Sequence, residues 1–285
     1  MNHRRPMMHQ LPWRQANITF PDWEQAETTA LAHLVPLLRT AEAEGAVAAW
    51  FVIRKRPCWR LRYRLVPDGR DPVAQGLDRM TTARYITGWT QSVYEPEVHA
   101  FGGHEAMDSA HRLFHRDSRG LTDYLAGQAG THRRETSLLL CNLMLRSAGL
   151  DWYEQGDVWA RVAAHRAQPA GTAAGGHEQL QTAVRRLLSV DPHHALRPDG
   201  PLAGAAEWAR AYADAGEETA DLQTAGKLYR GLRDVLAHHV IFAWNRIGLP
   251  YAVQAALTSA AKTVVFGVDP VTASERSATG HVETP

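Results

Sequence analysis

The sequence has 285 residues, of which 45% are hydrophobic and 21% are charged, and its net charge is +1 at pH 7. This composition excludes a disordered or fibrous chain, and the near balance of charge gives no basis for tight bulk binding to nucleic acid. Two cysteines, Cys58 and Cys141, are too few for a thiolate metal cluster and are typical of a reducing compartment. No apolar run approaches the length of a membrane span, so we expect a cytoplasmic protein without membrane contact.

The first hundred residues alternate between strand and helix patterns. Their composition predicts strands at 13–20, 47–54, 58–66 and 85–94, and a helix that Asp22 caps and that runs to Gly45 with a bend at Pro36. Residues 55–57 form the tight turn between the second and third strands. We therefore expect residues 11–102 to form a small antiparallel sheet crossed by a helix.

Residues 53–64 carry the most distinctive pattern of the chain. They contain six cations and no acid, and residues 59–64 alternate strictly between an apolar or aromatic residue and arginine. In a strand this alternation places Arg60, Arg62 and Arg64 in one row, about 6.8 Å apart, with the apolar residues behind them. Such a row is either the solvated face of a half-buried strand or a receptor for a carboxylate or phosphate, because each guanidinium offers a planar donor fork. Residues 1–70 hold eleven Lys and Arg against six Asp and Glu, which favours a local anionic ligand.

From residue 103 to residue 266 the pattern is helical. Together with the first hundred residues, this predicts an α+β fold with a mixed N-terminal third and a mainly helical remainder. The predicted helices are 104–128, 134–148, 152–166, 177–189, 204–214, 218–247 and 250–265. We expect a mobile loop at 168–176 and disordered segments at 1–10 and 267–285.

A polar stripe follows the start of the first of these helices. His104, Asp108, His111 and His115 are spaced by four, three and four residues, which places them on one helical face. A His-x-x-x-His pair can bind zinc or iron, but no further ligand is evident nearby, so we expect a structural or peptide-contacting role and no metal.

A second polar group interrupts the apolar run at 233–246. His238 and Asn245 share one helical face, and His239 and Arg246 share the adjacent one. A histidine half sunk in an apolar helix is either a general acid or base or a core histidine with a satisfied hydrogen bond.

Five segments, in unchanged order, resemble the elimination domain of the lanthipeptide dehydratases. The resemblance spans roughly residues 11–266 and is greatest to the stand-alone forms called thiopeptide-type bacteriocin biosynthesis proteins. The segments are WFVIR at 50–54, WRLRYR at 59–64, YEPEVHAFGG at 94–103, LFHRDS at 113–118 and NRIG at 245–248.

The resemblance implies a lyase that removes glutamate from glutamylated Ser or Thr of a ribosomally made precursor peptide, leaving dehydroalanine or dehydrobutyrine. Negative charge that develops on an enolate and on the departing glutamate explains the need for cations. By resemblance the catalytic residues are Arg60, Arg62, Glu97 and a helix histidine, His238 or His239. The substrate-binding residues implied are Arg54, Arg64, Tyr94, Asn245 and Arg246.

Two positions depart from the family pattern. The two-domain dehydratases usually have an arginine where this chain has Ala100, and a histidine where it has Ile241. These departures leave open a sister activity, a thiopeptide pyridine synthase that joins two dehydroalanines in a formal [4+2] cycloaddition and releases the leader peptide. A non-catalytic subunit whose sheet accepts a leader as an added strand is a third interpretation.

The resemblance also implies partners. The elimination reaction needs no cofactor. It needs the precursor peptide and a separate enzyme that glutamylates this peptide from glutamyl-tRNA, without direct contact of this chain with nucleic acid. The oligomeric state is left open, with a homodimer as one arrangement.

Overall fold

The computed structural model describes residues 12–67, 70–127, 132–167, 177–191 and 202–267, together with residues 194, 197, 199 and 200. The predicted loop at 168–176 and the predicted disordered segments lie outside the described residues, apart from Gly267.

The described strands form one antiparallel sheet in the order β2-β3-β1-β4. The strands are β1 (Trp13–Thr19), β2 (Val47–Lys55), β3 (Cys58–Leu65) and β4 (Gly88–Ser92). The last of these is shorter than predicted.

Helices account for most of the remaining described residues, which confirms the predicted α+β class. The first helix, α1, consists of Ala26–Thr29, a π-helical turn Ala30–Leu34 and Val35–Ala43. The others are α2 (Pro72–Thr82), α3 (His104–Ala126), α4 (Arg133–Ser147), α5 (Trp152–His165), α6 (His177–Leu188), α7 (Ala206–Thr224), α8 (Leu232–Ile247) and α9 (Tyr251–Phe266). Among the described residues, no helix is both long and apolar enough to cross a bilayer.

Strand β3 separates two layers of the N-terminal part. Trp59, Leu61 and Tyr63 are buried in a core formed with α1 and α2, as the alternation predicts. The arginines point to the opposite face, where Phe51 and Ile53 of β2 pack with residues of α3 in a second, smaller apolar layer. The arginine row is thus half-buried, and the simple solvated face is not what the structure contains.

Helix α3 covers the outer edge of β2. The backbone N–H of Trp50 donates to Nδ1 of His115 at 3.2 Å, and that of Val52 donates to Oγ of Ser118 at 3.3 Å. These side chains satisfy edge groups that would otherwise be buried without a partner. The sheet is thereby held against the helical part of the chain.

Three predicted helices differ from the structure by several residues at one end. Helix α1 begins at Ala26, because the carboxylate of Asp22 accepts from the N–H of Glu24 in a turn that precedes the helix. The predicted helices 204–214 and 218–247 are instead α7 and α8, which are separated by Gly226 in the left-handed region (φ +67°) and by Gly231 at the start of α8.

Helix α2 has no counterpart among the predicted elements. Its N-cap, Asp71, accepts a hydrogen bond from the N–H of Ala74 and is followed by Pro72 in the first turn. This Asp-Pro start was the signal that could have found it. In α1, the π-helical turn ends at Leu34, two residues before Pro36, which has no N–H to continue the α-helical bonding.

Candidate functional site

The register of the sheet surrounds the arginine row with amide side chains. Arg62 lies opposite Gln15 of β1 and Phe51 of β2, and Arg60 lies opposite Asn17. The Oε1 atom of Gln15 accepts a hydrogen bond of 2.8 Å from Nε of Arg62. Neutral amides can orient a guanidinium without neutralising its charge, so Arg62 can still bind an anion.

Arg62 is the most enclosed member of the row. Its guanidinium carbon lies 4.4 Å from the centre of the Tyr94 ring and 5.4 Å from that of Phe51. Burial lowers the pKa of Arg62, and Arg60 lowers it further, whereas Glu97 and Tyr94 raise it. The Coulomb attraction between this partly buried cation and an incoming anion is stronger than it would be in bulk water, because the effective dielectric constant is lower.

Arg64 and Arg60 complete the row. The guanidinium of Arg64 lies 4.9 Å over the ring of Trp13, and its Nε atom is buried without a hydrogen-bond partner. Burial lowers the pKa of Arg64, and the nearby Asp108 carboxylate opposes this shift. Within the part of the chain that the structure describes, none of Arg60, Arg62 and Arg64 forms an ion pair with a carboxylate.

A tyrosine–histidine pair lies beside the arginine row. The hydroxyl of Tyr94 lies 2.9 Å from Nε2 of His111, whose ring packs 4.7 Å from that of Trp13. Burial, with Arg64 and Arg62, lowers the pKa of His111 to about 3, and burial raises that of Tyr94 to about 12. At neutral pH the phenol is therefore protonated and the imidazole is neutral, and the phenol donates to Nε2 when the ring proton lies on Nδ1.

The rest of the polar stripe on α3 has structural or solvent-exposed positions. His115 supports β2 and lies 3.2 Å from the carboxylate of Glu42, whereas His104 is exposed. No group of three or more His, Cys, Asp and Glu side chains in the described ranges could hold a metal ion.

The histidines of α8 lie at the other end of the candidate site. The ring of Phe101 is 4.9 Å from that of His239 and 6.0 Å from that of His238. Burial lowers the pKa of His239 to about 3 and that of His238 to about 4, with Arg230 as the next cause for His238. His239 is 1% exposed, whereas His238 is half-buried and can be reached from solvent.

The structure does not bring these histidines into contact with the arginine row. Aromatic rings lie between them, since Phe51 contacts Phe114 at 5.2 Å, and Phe114 stacks on Phe242 at 5.6 Å. The ring of Phe242 is then 6.5 Å from that of His238. The resemblance implied that the arginine row and the histidines of α8 lie close together, but the distance between them cannot be predicted from the sequence.

Residues 94–103 link the two ends of the site. At their start Tyr94 packs under Arg62, and at their end Phe101 packs against both histidines. Gly102 has a φ of +89°, and a Cβ there would lie 3.0 Å from Cγ2 of Val235. Glycine is therefore required where this segment passes α8 and enters α3.

A cation from a distant part of the sequence, Arg230, contacts the backbone of Ala100. The Nη1 atom of Arg230 donates to the carbonyl oxygen of Ala100 at 3.1 Å. Its guanidinium is also 3.8 Å from the carboxylate of Asp234, and its positive charge lowers the pKa of His238. Because Arg230 lies far along the chain from Ala100, no local pattern could have predicted this contact.

The remaining predicted substrate-binding residues have partners outside the arginine row. Arg246 is fully buried, its Nε pairs with Asp117, and this carboxylate also accepts from Trp208 at 2.6 Å and Tyr212 at 2.8 Å. Arg54 pairs with Glu27, and both Arg54 and Asn245 line a different cleft. Contact of these residues with a substrate stays a prediction.

Comparison with solved structures shows the same fold in three proteins. The tRNA-dependent lantibiotic dehydratase MibB from Microbispora sp. 107891 matches with a TM-score of 0.60 and 17% identity, over 96% of this chain and 29% of that one. TsrL matches with a TM-score of 0.58 and 17% identity, over 90% of this chain and 99% of that one. The pyridine synthase TbtD from thiomuracin biosynthesis matches with a TM-score of 0.56 and 13% identity, over 91% and 99%.

No curated protein matches the sequence. The family model described as lantibiotic biosynthesis dehydratase C-term matches residues 13–265. This range contains the whole described sheet, the arginine row and the histidines of α8. The chain therefore belongs to the family of lantibiotic biosynthesis dehydratase C-terminal domains.

Proposed function

We propose that this protein eliminates glutamate from glutamylated Ser or Thr residues of a precursor peptide. The observation that supports this most directly is the arginine row, which consists of three cations without a carboxylate partner among the described residues. Stacked and partly dehydrated guanidiniums are poised to bind a carboxylate that is released during reaction. A surface row that existed only for solubility would not need to be enclosed by Trp13, Phe51 and Tyr94.

In the proposed reaction a base removes the Cα proton of the modified residue. The electron pair forms the Cα–Cβ double bond while the Cβ–O bond breaks, and glutamate leaves as a carboxylate. Arg60 and Arg62 hold the departing glutamate, Arg64 adds a third donor group, and Glu97 orients Arg62. Both histidines are neutral near pH 7, and His238 is the better candidate for the base because it is more accessible than the buried His239.

A peptide that follows residues 94–103 would meet both ends of the site. Its glutamyl group would lie near Arg62, and its Cα near Phe101 and His238. Arg230 would then hold positive charge beside Ala100, where an enolate develops. The proposal includes a separate enzyme that supplies the glutamylated peptide.

A second candidate function is that of a pyridine synthase, the formal [4+2] cycloaddition of two dehydroalanines; the pyridine synthase TbtD shares this fold. The specific observation that favours it is Ile241, which lies between His238 and Asn245 along α8 and is buried in the helical core, at the position where the two-domain dehydratases usually have a histidine. Cycloaddition, however, releases no glutamate and has no need of an anion receptor.

One mass-spectrometric experiment separates the two functions. The purified protein is incubated with a glutamylated peptide and, separately, with a multiply dehydrated peptide. Elimination predicts loss of glutamate from the first, and cycloaddition predicts ring closure of the second with release of the leader. The Arg60→Ala and Arg62→Ala variants should leave glutamylated peptide unconverted; normal dehydration by both would refute the receptor role.

A further inference from the structure

A second cleft lies at the hairpin end of the sheet. Its volume is about 840 Å³, within the size range of ligand-binding clefts. The hairpin between β2 and β3 and the residues before α1 form one wall, and the junction of α8 with α9 forms the other. None of Arg60, Arg62 and Arg64 lines it, because Arg54 and its register partner Trp59 point to the opposite face of the sheet.

Positive charge predominates in this cleft. Five cations line it, namely Arg54, Lys55, Arg56, Arg133 and Arg166, against the two carboxylates Glu24 and Glu27. Glu27 pairs with both Arg54 and Arg133, and Glu24 with Arg56. Lys55 and Arg166 form no ion pair with any carboxylate in the described ranges.

One of these cations is buried and incompletely bonded. The side chain of Arg54 is only 8% exposed, and its Nε atom has no hydrogen-bond partner. It packs against Gly248, at which a Cβ would lie 3.2 Å from its Nη1 atom. A buried donor without a partner is costly, and an acceptor entering the cleft would remove that cost.

Aromatic rings hold three of the guanidiniums flat. Arg54 lies 5.0 Å over Trp59, Arg56 lies 4.9 Å over Trp23, and Arg166 lies 5.6 Å from the ring centre of Tyr251. Stacking occupies the face of a guanidinium and directs its N–H edge towards acceptors: Arg54 and Arg56 bind Glu27 and Glu24, and Nε of Arg166 donates to the neutral Gln254 at 2.7 Å. Three such pairs along one cleft suit a ligand with several separated acids and apolar groups between them, rather than a single compact anion.

We propose that this cleft binds an acidic, partly apolar segment of a peptide, at a distance from the residues that react at the arginine row. This inference rests on the proposed function in that the peptide is the substrate, and it adds a second binding site on that substrate. Peptide binding at such a cleft would hold the substrate while successive residues are presented to the arginine row.

The test measures binding without turnover. The full chain is titrated by calorimetry at low salt with an acetylated and amidated heptapeptide, ELEFDLE, and with its neutral counterpart QLQFNLQ. The Lys55→Glu/Arg166→Gln variant changes the two unpaired cations of the cleft. The matched control, Arg79→Glu/Arg210→Gln, makes the same change in net charge at exposed positions outside the cleft.

We expect the acidic peptide to bind roughly tenfold or more tightly than the neutral one, and the cleft variant to lose most of this difference while the control retains it. Absence of binding, equal binding of both peptides, or equal losses in both variants would overturn the proposal. So would tighter binding of pyrophosphate or of a single-stranded oligonucleotide. If the peptide binds as expected but glutamylated peptide is not converted, the proposed function fails while the binding site stands.

Discussion

The hydroxyl of Tyr94 lies 2.9 Å from Nε2 of His111, and the ring of the same tyrosine lies under the guanidinium of Arg62 at 4.4 Å. One side chain thus connects the arginine row of the sheet to helix α3. Because His111 is buried and neutral, it can accept this hydrogen bond without adding positive charge beside the arginines. This histidine therefore does not oppose the binding of an anion that we propose for the arginine row.

We expect Tyr94→Phe to destabilise the fold while leaving Arg62 stacked. The substitution keeps the ring but leaves Nε2 of His111 buried without a partner, at a cost of about 1 to 3 kcal/mol in the free energy of unfolding. Urea unfolding of this variant and of Tyr85→Phe measures the difference. Tyr85 is 43% exposed, so the control should lose almost nothing; equal stability of the two variants would contradict the proposed hydrogen bond.

Replacing Arg62 by lysine should impair elimination without unfolding the protein. Lysine keeps the charge but loses the planar fork and its stacking on Tyr94, so we expect the rate on a glutamylated peptide to fall by roughly a hundredfold. The control is Arg14→Lys, which lies on β1 in an ion pair with Asp71 at 2.6 Å. Full activity of the Arg62 variant would contradict the proposal that this arginine holds the departing glutamate.

Stability should fall as pH falls from about 6.5 towards 3. Burial lowers the pKa of His239 to about 3, below its ordinary value of 6.5. Between these values the unfolded chain binds a proton that the folded chain does not, so acid favours unfolding. The slope contributed by this histidine is at most about 1.4 kcal/mol per pH unit.

Urea unfolding at a series of pH values tests this dependence. His239→Leu should flatten the slope, because leucine has no proton to bind in the unfolded state. His99→Gln, at an exposed position, should leave the slope as it is. An unchanged slope in the leucine variant would show that His239 does not contribute.

Gly216→Ala should destabilise the crossing of α7 with α4. A Cβ at Gly216 would lie 2.2 Å from the backbone oxygen of Met144, and backbone atoms cannot move aside as a flexible side chain can. We expect a loss of about 1 to 3 kcal/mol in the free energy of unfolding. At Gly204 a Cβ would meet nothing within 4 Å, so Gly204→Ala serves as the control in the same thermal and urea experiments.

Arg246→Met should be among the most destabilising substitutions in the protein. Arg246 and Asp117 have side chains that are 0% and 2% exposed, and removal of the cation leaves a buried carboxylate with only its two neutral donors. Breaking one partner of such a pair costs about 3 to 5 kcal/mol. The double variant Arg246→Met/Asp117→Asn should be more stable than the single one; if it is not, the ion pair is not the cause.

Periodicity was sufficient to predict most elements. The strict alternation at 59–64 predicted a strand with two different faces, and the helix periods after residue 103 predicted most of the helices, because both are local properties of the backbone. The exceptions have local causes of another kind. Helix α2 is marked by an Asp-Pro start and not by a long apolar period, and only Gly226 and Gly231 mark the division of α7 from α8 within a continuous helical pattern.

The candidate site was predictable as residue types and not as an arrangement. The α+β class, the row of three arginines and the segment 94–103 follow from local sequence, since these depend on nearest neighbours and on residue identity. Only the packed fold encloses the row between Trp13 and Tyr94, joins His111 to Tyr94 and brings Arg230 to Ala100. Those contacts join residues far apart in the chain, and their energies depend on burial and on distance, which exist only once the sheet and the helices have packed together.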